Sequence, residues 1–247
     1  LHGEHDTVVL PAMSDLVDLH LHLLPGLDDG PATVEESVAL ARGLQELGYA
    51  TVCATPHRRE GWWDPAPALI AERAQQTAAA FEEAGLSLQL CWGGENHVQD
   101  SLLARLDRQE LIPLGAGRGL LLELPETGLP QGLPNLLFEL RLRGLTPVIA
   151  HPERYDGLSL TELASWRERG ALAQVSLTSL GGKFGGAVAK RGVKIIERGQ
   201  GDLVASDAHG VRDLERAREA LVRLERLVGK EETVRLAATA PARLLRG

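Results

Sequence analysis

Residues 18–30, DLHLHLLPGLDDG, place two histidines and three acids within one short apolar stretch. On a β-strand, Asp18, His20 and His22 share one face, while Val17, Leu19, Leu21 and Leu23 take the other. Three such polar groups turned into a core cost several kcal/mol if they stay unpaired. A metal cation removes that cost, because neutral imidazole and carboxylate are its natural ligands. The plainer alternative is a half-exposed strand with incidental histidines. The same residue types recur down the chain: His57 in ATPH, Glu95 in GGEN, Glu123 in LLELP, His151 in VIAHPER, and Asp207 and His209 in ASDAH. Five histidines (20, 22, 57, 151, 209) and four carboxylates (Asp29, Glu95, Glu123, Asp207) exceed what one tetrahedral or octahedral ion needs. Shared among ions ~3.5–4 Å apart, they suit a cluster that clamps a phosphoryl group. A His and carboxylate set without thiolate favours Mn, Fe or Zn.

Each of these residues falls at the end of an apolar run, and the runs dictate the elements. Strand-like stretches occupy 15–22, 49–55, 87–94, 119–124, 146–151, 171–177 and 202–206. Amphipathic segments lie between them. In TVEESVALARGLQELG, Thr33 is the expected N-cap, with Glu36 completing a capping box. Val34, Val38, Leu40, Ala41, Leu44 and Leu47 form the stripe, and Gly48 ends the helix. Further helices are expected near 66–84, 132–144, 159–169, 183–199 and 211–228. Strand and helix in alternation imply a parallel sheet with helices outside. Seven such strands fit a TIM-like α/β barrel better than an open sheet, and a barrel carries its site at the carboxyl ends of its strands. Six of the seven runs deliver a metal-type ligand at that end.

The chain has 247 residues, 44% of them hydrophobic, and a net charge of -8. One domain over 13–247 is the economical reading. Residues 1–12 are expected to be a tag or upstream extension and not a secretory signal, with Met13 the only methionine, so His2 and His5 are left out of the ligand count. The acidic balance argues against nucleic acid and against a polybasic membrane surface. No apolar run approaches the ~20 residues that span a bilayer. Cys53 and Cys91 lie in apolar runs and read as reduced core thiols of a cytoplasmic protein.

One motif competes. Cys53-Ala-Thr-Pro-His-Arg-Arg59 matches C-x5-R, the signature of thiolate phosphatases. The intervening residues contain no glycine, Pro56 has no N–H to offer a phosphate, and a thiol inside an apolar strand is inert. The match is expected to be accidental.

The ordered set DLHLH, ATPH, GGE, LLELP, VIAHPERY and ASDAH resembles the polymerase and histidinol phosphatase (PHP) superfamily. LPGLDDGPATVEES and HPERYD resemble, within it, the bacterial protein-tyrosine phosphatases found with capsule and exopolysaccharide genes. The resemblance runs from about residue 15 to the C-terminus. It implies a distorted seven-stranded parallel (β/α)7 barrel with three divalent ions at its C-terminal face, Mn2+ first and Fe or Zn as the other choices. It implies that His20, His22, Glu95 and Asp207 hold one ion. Glu95 then bridges to a second held by Glu123 and His151, and Asp29, His57 and His209 hold the third. Arg154 of HPER matches a family arginine near the phosphate, so Arg154, Glu95 and Asp207 are the expected catalytic group. Some relatives carry an arginine a few residues after the ASD-x-H motif, where this chain reads HGVRD with Arg212.

The implied reaction is hydrolysis of phosphotyrosine by a hydroxide held on the cations, with tyrosine a fair leaving group because phenol ionises near pKa ~10. The implied partner is a bacterial tyrosine kinase with a tyrosine-rich tail that controls capsule or exopolysaccharide synthesis. Trp62 and Trp63 are expected either to wall an aromatic substrate or to pack over the barrel mouth. Arg58 and Arg59 either meet an acidic phosphopeptide or are solvated. Gly181-Gly182-Lys183 either binds an anion through backbone N–H groups or is a loop with a solvated lysine. The rival readings are histidinol-phosphate phosphatase or another PHP phosphoesterase, a PHP nuclease, and a catalytically inactive, metal-stabilised binding module of a polysaccharide assembly complex.

Overall fold

The computed structural model describes residues 15–246, so the expected extension at 1–12 lies outside the described residues. The order is β1 (Leu16–Leu21), α1 (Val34–Glu46), β2 (Tyr49–Ala54), β3 (His57–Arg58), α2 (Pro67–Glu83), β4 (Gln89–Trp92), β5 (Glu95–His97) and α3 (Leu102–Asp107). There follow β6 (Gly119–Glu123), α4 (Leu133–Leu142), β7 (Thr146–Ala150), α5 (Leu160–Glu168), β8 (Leu172–Ser176), α6 (Leu177–Leu180), α7 (Gly186–Glu197), β9 (Leu203–Ala205), α8 (Arg212–Val234) and α9 (Ala240–Arg246). Strands pair in the orders β1-β2-β4 and β3-β5-β6-β7-β8-β9, and every pair is parallel. The α/β class with parallel sheets follows.

Two of the seven expected strand runs are split. The run ending at His57 breaks around Pro56, which has no N–H to give a ladder. Its neighbour breaks at Gly93-Gly94. Backbone bonds still bridge the break, from Gly93 N–H to Ala54 O (2.8 Å) and from Glu95 N–H to Pro56 O (3.0 Å). At the other edge, just past β9, Asp207 N–H donates to His20 O (2.8 Å) and His22 N–H to Ala208 O (2.9 Å), tying the last strand run to the first.

Every residue of β1 is buried, so its two faces meet two different packings. A register irregularity between Asp18 and Leu21 breaks the strict alternation expected there. Leu19 packs in a small inner cluster with Cys53, Leu121 and Val148, whereas Leu21 and Leu23 join the main core. Asp18 is spent on backbone and is absent from the converging ligand sets. Its Oδ1 accepts the N–H of Ser206 (3.0 Å) and of His20 (3.3 Å), which fastens β1 to the end of β9.

Helix starts follow the sequence with one adjustment. Thr33 Oγ1 caps Glu36 N–H (3.3 Å), but the Glu36 carboxylate reaches Ala32 N–H (2.7 Å) and not that of Thr33. The full capping box belongs to α5, between Ser159 and Glu162. The expected end of the last long helix at 228 coincides with Gly229, whose φ of +82° interrupts α8. The short helices α3, α6 and α9 are additions to the expected set.

Candidate metal centre and active site

All the expected ligand residues lie at one end of the strands. Glu95, fully buried, is the hub. His151 Nε2 stands 2.9 Å from its Oε1 and His57 Nδ1 2.9 Å from its Oε2, with His20 Nε2 at 3.3 Å and His22 Nε2 at 3.4 Å. Asp207 Oδ1 lies 3.5 Å from His20 Nε2 and 3.6 Å from His22 Nε2. Glu123 Oε2 is 3.7 Å from His57 Nδ1. Asp29 Oδ1 faces His209 Nε2 at 3.4 Å and His57 Nε2 at 3.6 Å. Three sets of ligand atoms each converge within 4.8 Å: His20, His22 and Glu95; His57, Glu95 and Glu123; and His22, Asp29, His57 and His209.

A cation fits this donor set on an independent observation. His20 Nε2, His22 Nε2 and Glu95 Oε2 are buried with no hydrogen-bond partner, a cost the fold accepts for atoms that serve a ligand. Their opposite sides are fully engaged. His20 Nδ1 donates to Gln174 Oε1 (2.7 Å), and His22 Nδ1 to Asp28 Oδ2 (2.7 Å). His209 Nδ1 donates to Asp207 O (3.1 Å), and His151 Nδ1 meets Tyr155 Oη at 3.1 Å. A proton fixed on Nδ1 leaves the Nε2 lone pair for a metal.

The electrostatics are those of a crowded cluster of opposite charges. Burial resists charge on His22, but the Asp28 and Glu95 carboxylates overcome it and push its pKa up to about 10. His209 stacks on His22 at 3.8 Å; burial and the neighbouring imidazolium hold it down, at about 4. Burial works against ionised Glu95 as well, yet His20, His57 and His151 take its pKa well below the carboxylate range. So Glu95 is held ionised and demands positive charge. Cations meet that demand with all the imidazoles neutral.

The backbone is forced where ligands turn inward. His151 (φ +33°) and Asp207 (φ +55°) adopt left-handed conformations without being glycine. Such positions persist only where surrounding contacts fix them, and they concentrate at functional sites.

A model of the family described as capsular polysaccharide synthesis, CpsB/CapC, matches residues 16–246. The chain belongs to this family. It is 32% identical over 219 residues to the tyrosine-protein phosphatase YwqE of Bacillus subtilis, covering 87% of this chain and 86% of that one. It is 32% identical over 207 residues to the tyrosine-protein phosphatase CpsB of Streptococcus pneumoniae, covering 79% and 84%. The solved structures of YwqE and CpsB are described as metal-dependent tyrosine phosphatases, and one of them superposes with a TM-score of 0.87 at 32% identity over 94% of both chains. A phosphotriesterase homology protein of Escherichia coli shares the fold alone, with a TM-score of 0.60 at 10% identity.

Around the ligands of this CpsB/CapC chain lies a cavity of about 370 Å³ whose lining includes Arg154, Trp62, Trp63, Lys183 and Phe184. Arg154 pairs with Asp207 Oδ2 and donates to Ser179 Oγ (3.1 Å) and Ser176 Oγ (3.3 Å), with its guanidinium 3.8 Å from the centre of the Phe184 ring. Trp63 stacks on His57, with centroids 5.5 Å apart at 13°. Both tryptophans therefore face the ligand cluster, and Trp62 remains 65% exposed.

Three expectations change. Arg58 is not available to a substrate: it is buried, donating to Asp64 Oδ1 (2.9 Å) and Glu110 O (2.9 Å). The N–H groups of Gly181, Gly182 and Lys183 are spent on Leu177, Ser179 and Thr178 carbonyls at the end of α6, so they bind no anion. Lys183 instead ties Asp213, whose Oδ2 also accepts His209 N–H. Gly181 is required for a different reason, since a Cβ there would stand 2.6 Å from Arg216 O. Arg212 is an exposed residue at the start of α8, outside the cavity lining.

Sequence reasoning missed the residues behind the ligands. Asp28, Gln174 and Tyr155 aim His22, His20 and His151. His97 Nδ1 lies 3.1 Å from Glu123 Oε2. Asp28 and Tyr155 stood inside the motifs LPGLDDG and HPERYD and His97 two residues past Glu95, whereas Gln174 had no local signal.

Proposed function

We propose that the chain is a metal-dependent protein-tyrosine phosphatase acting in capsule or exopolysaccharide synthesis. The observation that carries it is the set of three His and carboxylate groups sharing Glu95, His22 and His57, opening into a cavity with Arg154 and three aromatic rings. Family membership and the names of the relatives support the same reading. His20, His22, Glu95 and Asp207 hold one divalent ion; Glu95, Glu123 and His151 a second; Asp29, His57 and His209 a third. Mn2+ is the proposed metal, with Fe or Zn as the other choices. We further propose that residues 13–247 are one domain and that the two parallel sheets, joined through the Asp207–His20 backbone bond, close a distorted seven-stranded barrel. The protein works in the cytoplasm on a bacterial tyrosine kinase.

When bound, the cations supply Lewis acidity, which acidifies water and spreads charge from phosphoryl oxygens. The chain's own residues do the rest. Arg154 presents a fork suited to phosphate oxygens, and Asp207, Ser176 and Ser179 hold that fork in place. Its pKa is lowered by burial, yet Glu153, Glu95 and Glu123 favour its charge. Trp62, Trp63 and Phe184 wall the cavity against water and offer faces to a phenyl ring. A phenol leaves readily, so no dedicated proton donor is required of the leaving-group side.

Hydrolysis of a phosphotyrosine peptide, measured before and after chelation and after Mn2+ is restored, tests the reading. Activity should vanish on chelation and return with Mn2+. Turnover by protein shown by elemental analysis to be metal-free would sink it. The runner-up, an alkyl phosphate such as histidinol phosphate, would show as faster turnover than any aryl phosphate.

A further inference from the structure

We propose that a second groove beside the cavity binds the peptide segment flanking the phosphotyrosine, and that it prefers a lysine or arginine there beside an apolar side chain. This rests on reading the metal-rich cavity as the phosphotyrosine site.

The groove has a volume of about 860 Å³ and is formed by residues 97–103, the 125–132 loop and the first turns of α4. It adjoins the cavity. Arg59 lines both. Along the 125–127 segment, Glu126 faces the cavity while Pro125 and Thr127 face the groove. Sites for small ligands run to ~300–1,000 Å³. The cavity alone therefore suits a phosphorylated ring, and the groove offers room for several further residues of the same chain.

Its chemistry selects among flanks. Val98, Leu102, Leu129 and Leu133 supply an apolar floor. Three acids, Glu60, Asp100 and Glu139, line the groove against one cation, Arg59. Arg59 is already engaged, its guanidinium 4.9 Å from the centre of the Trp62 ring. Glu60 accepts from Gln99 and Ser101. Asp100 and Glu139 have no ion pair among the described residues, so their charges are available to a ligand. Unpaired acids beside an apolar floor favour a cationic, amphipathic side chain and repel an acidic one. A second copy of this chain, at a net charge of -8, is a poor occupant for the same reason.

The test compares two phosphotyrosine peptides identical except for lysine or glutamate at the flanking positions, with p-nitrophenyl phosphate as a substrate that has no flank. Wild-type protein loaded with Mn2+ should show kcat/KM higher for the lysine peptide by on the order of fivefold, as expected for a few partly exposed charge contacts. Asp100→Lys with Glu139→Lys should cancel or invert that preference and leave p-nitrophenyl phosphate turnover unchanged. Both residues line the groove, Asp100 exposed and Glu139 partly so, and neither is a proposed ligand. Equal rates on the two peptides, or a preference for the glutamate peptide, with normal turnover of p-nitrophenyl phosphate would overturn the groove assignment alone. No turnover of any of the three would overturn the phosphatase reading and the groove with it.

Discussion

Asp28 shows how much of the centre depends on residues that touch no metal. Its carboxylate accepts from His22 Nδ1, from Gly30 N–H (3.0 Å) and from His57 N–H (3.0 Å). One side chain therefore sets the ring of one proposed ligand and the backbone of another. Asp28→Asn keeps the shape but turns an obligate acceptor into a group that can present N–H to His22. We expect a ~10–100-fold loss of Mn2+ affinity or activity, read by titrating activity against free Mn2+; a variant indistinguishable from wild type would show that His22 needs no such partner. Cys53 is the opposite case. It is fully buried in the inner cluster, and burial raises its thiol pKa well above the ordinary value. Cys53→Ser should cost stability, about 1–3 kcal/mol for a hydroxyl among apolar neighbours, yet leave kcat/KM within about threefold of wild type, because an inert thiol contributes no nucleophile. Abolished turnover in a folded, metal-loaded Cys53→Ser protein would restore the thiolate mechanism.

Among the elements, the 59–66 segment carries Trp62 and Trp63, the cavity-lining rings that on the proposed reading meet the substrate. Its anchor is Asp64, whose Oδ1 accepts from Arg58 Nε (2.9 Å) and Arg105 Nη2 (2.6 Å). Both arginines are almost wholly buried, at 2% and 1% exposure. Asp64→Ala leaves two buried cations short of a carboxylate. Because Asp64 itself is 30% exposed, we expect a moderate cost of about 2 kcal/mol, below the full penalty for a buried pair, and a fall in Tm of ~4–8 °C. KM for aryl phosphates should rise more than kcat falls. An unchanged KM would separate the tryptophans from substrate binding. The element boundaries themselves were largely legible: β1, α1, α2, α5 and β7 sit within a few residues of where period and caps place them. The breaks at Pro56 and Gly93-Gly94 were signalled by the residues that cause them. The short helices were not, because α3 and α6 are fixed by tertiary packing and not by any long periodic stripe.

At the scale of the whole molecule, the proposed ions do structural as well as chemical work. Six of the strand runs between β1 and β9 bring a carboxylate or imidazole to one end of the sheets, and unpaired polar groups there oppose folding. Ligands that bind only the folded state stabilise it by about 2.7 kcal/mol at a hundredfold excess over Kd. Tm should therefore climb with Mn2+ concentration and drop on chelation, followed by thermal denaturation. A Tm that ignores both would mean that the cluster is preformed without cations. Among the described residues, no helix is long and apolar enough to cross a membrane.

The sequence by itself determined the α/β class and nominated nine His and carboxylate residues at strand ends, because strand periodicity and residue order are local properties. It also carried the family, through motifs spread from DLHLH to ASDAH. Only the tertiary structure decided which side chains meet. Asp18 accepts the N–H of Ser206, 188 positions away, and joins no ligand set. Arg58 turned inward because Asp64, six residues away, lies beside it. Gln174 reached His20 across 154 positions. These are contacts between distant segments, set by how the strands pack, and no spacing rule along one chain encodes them.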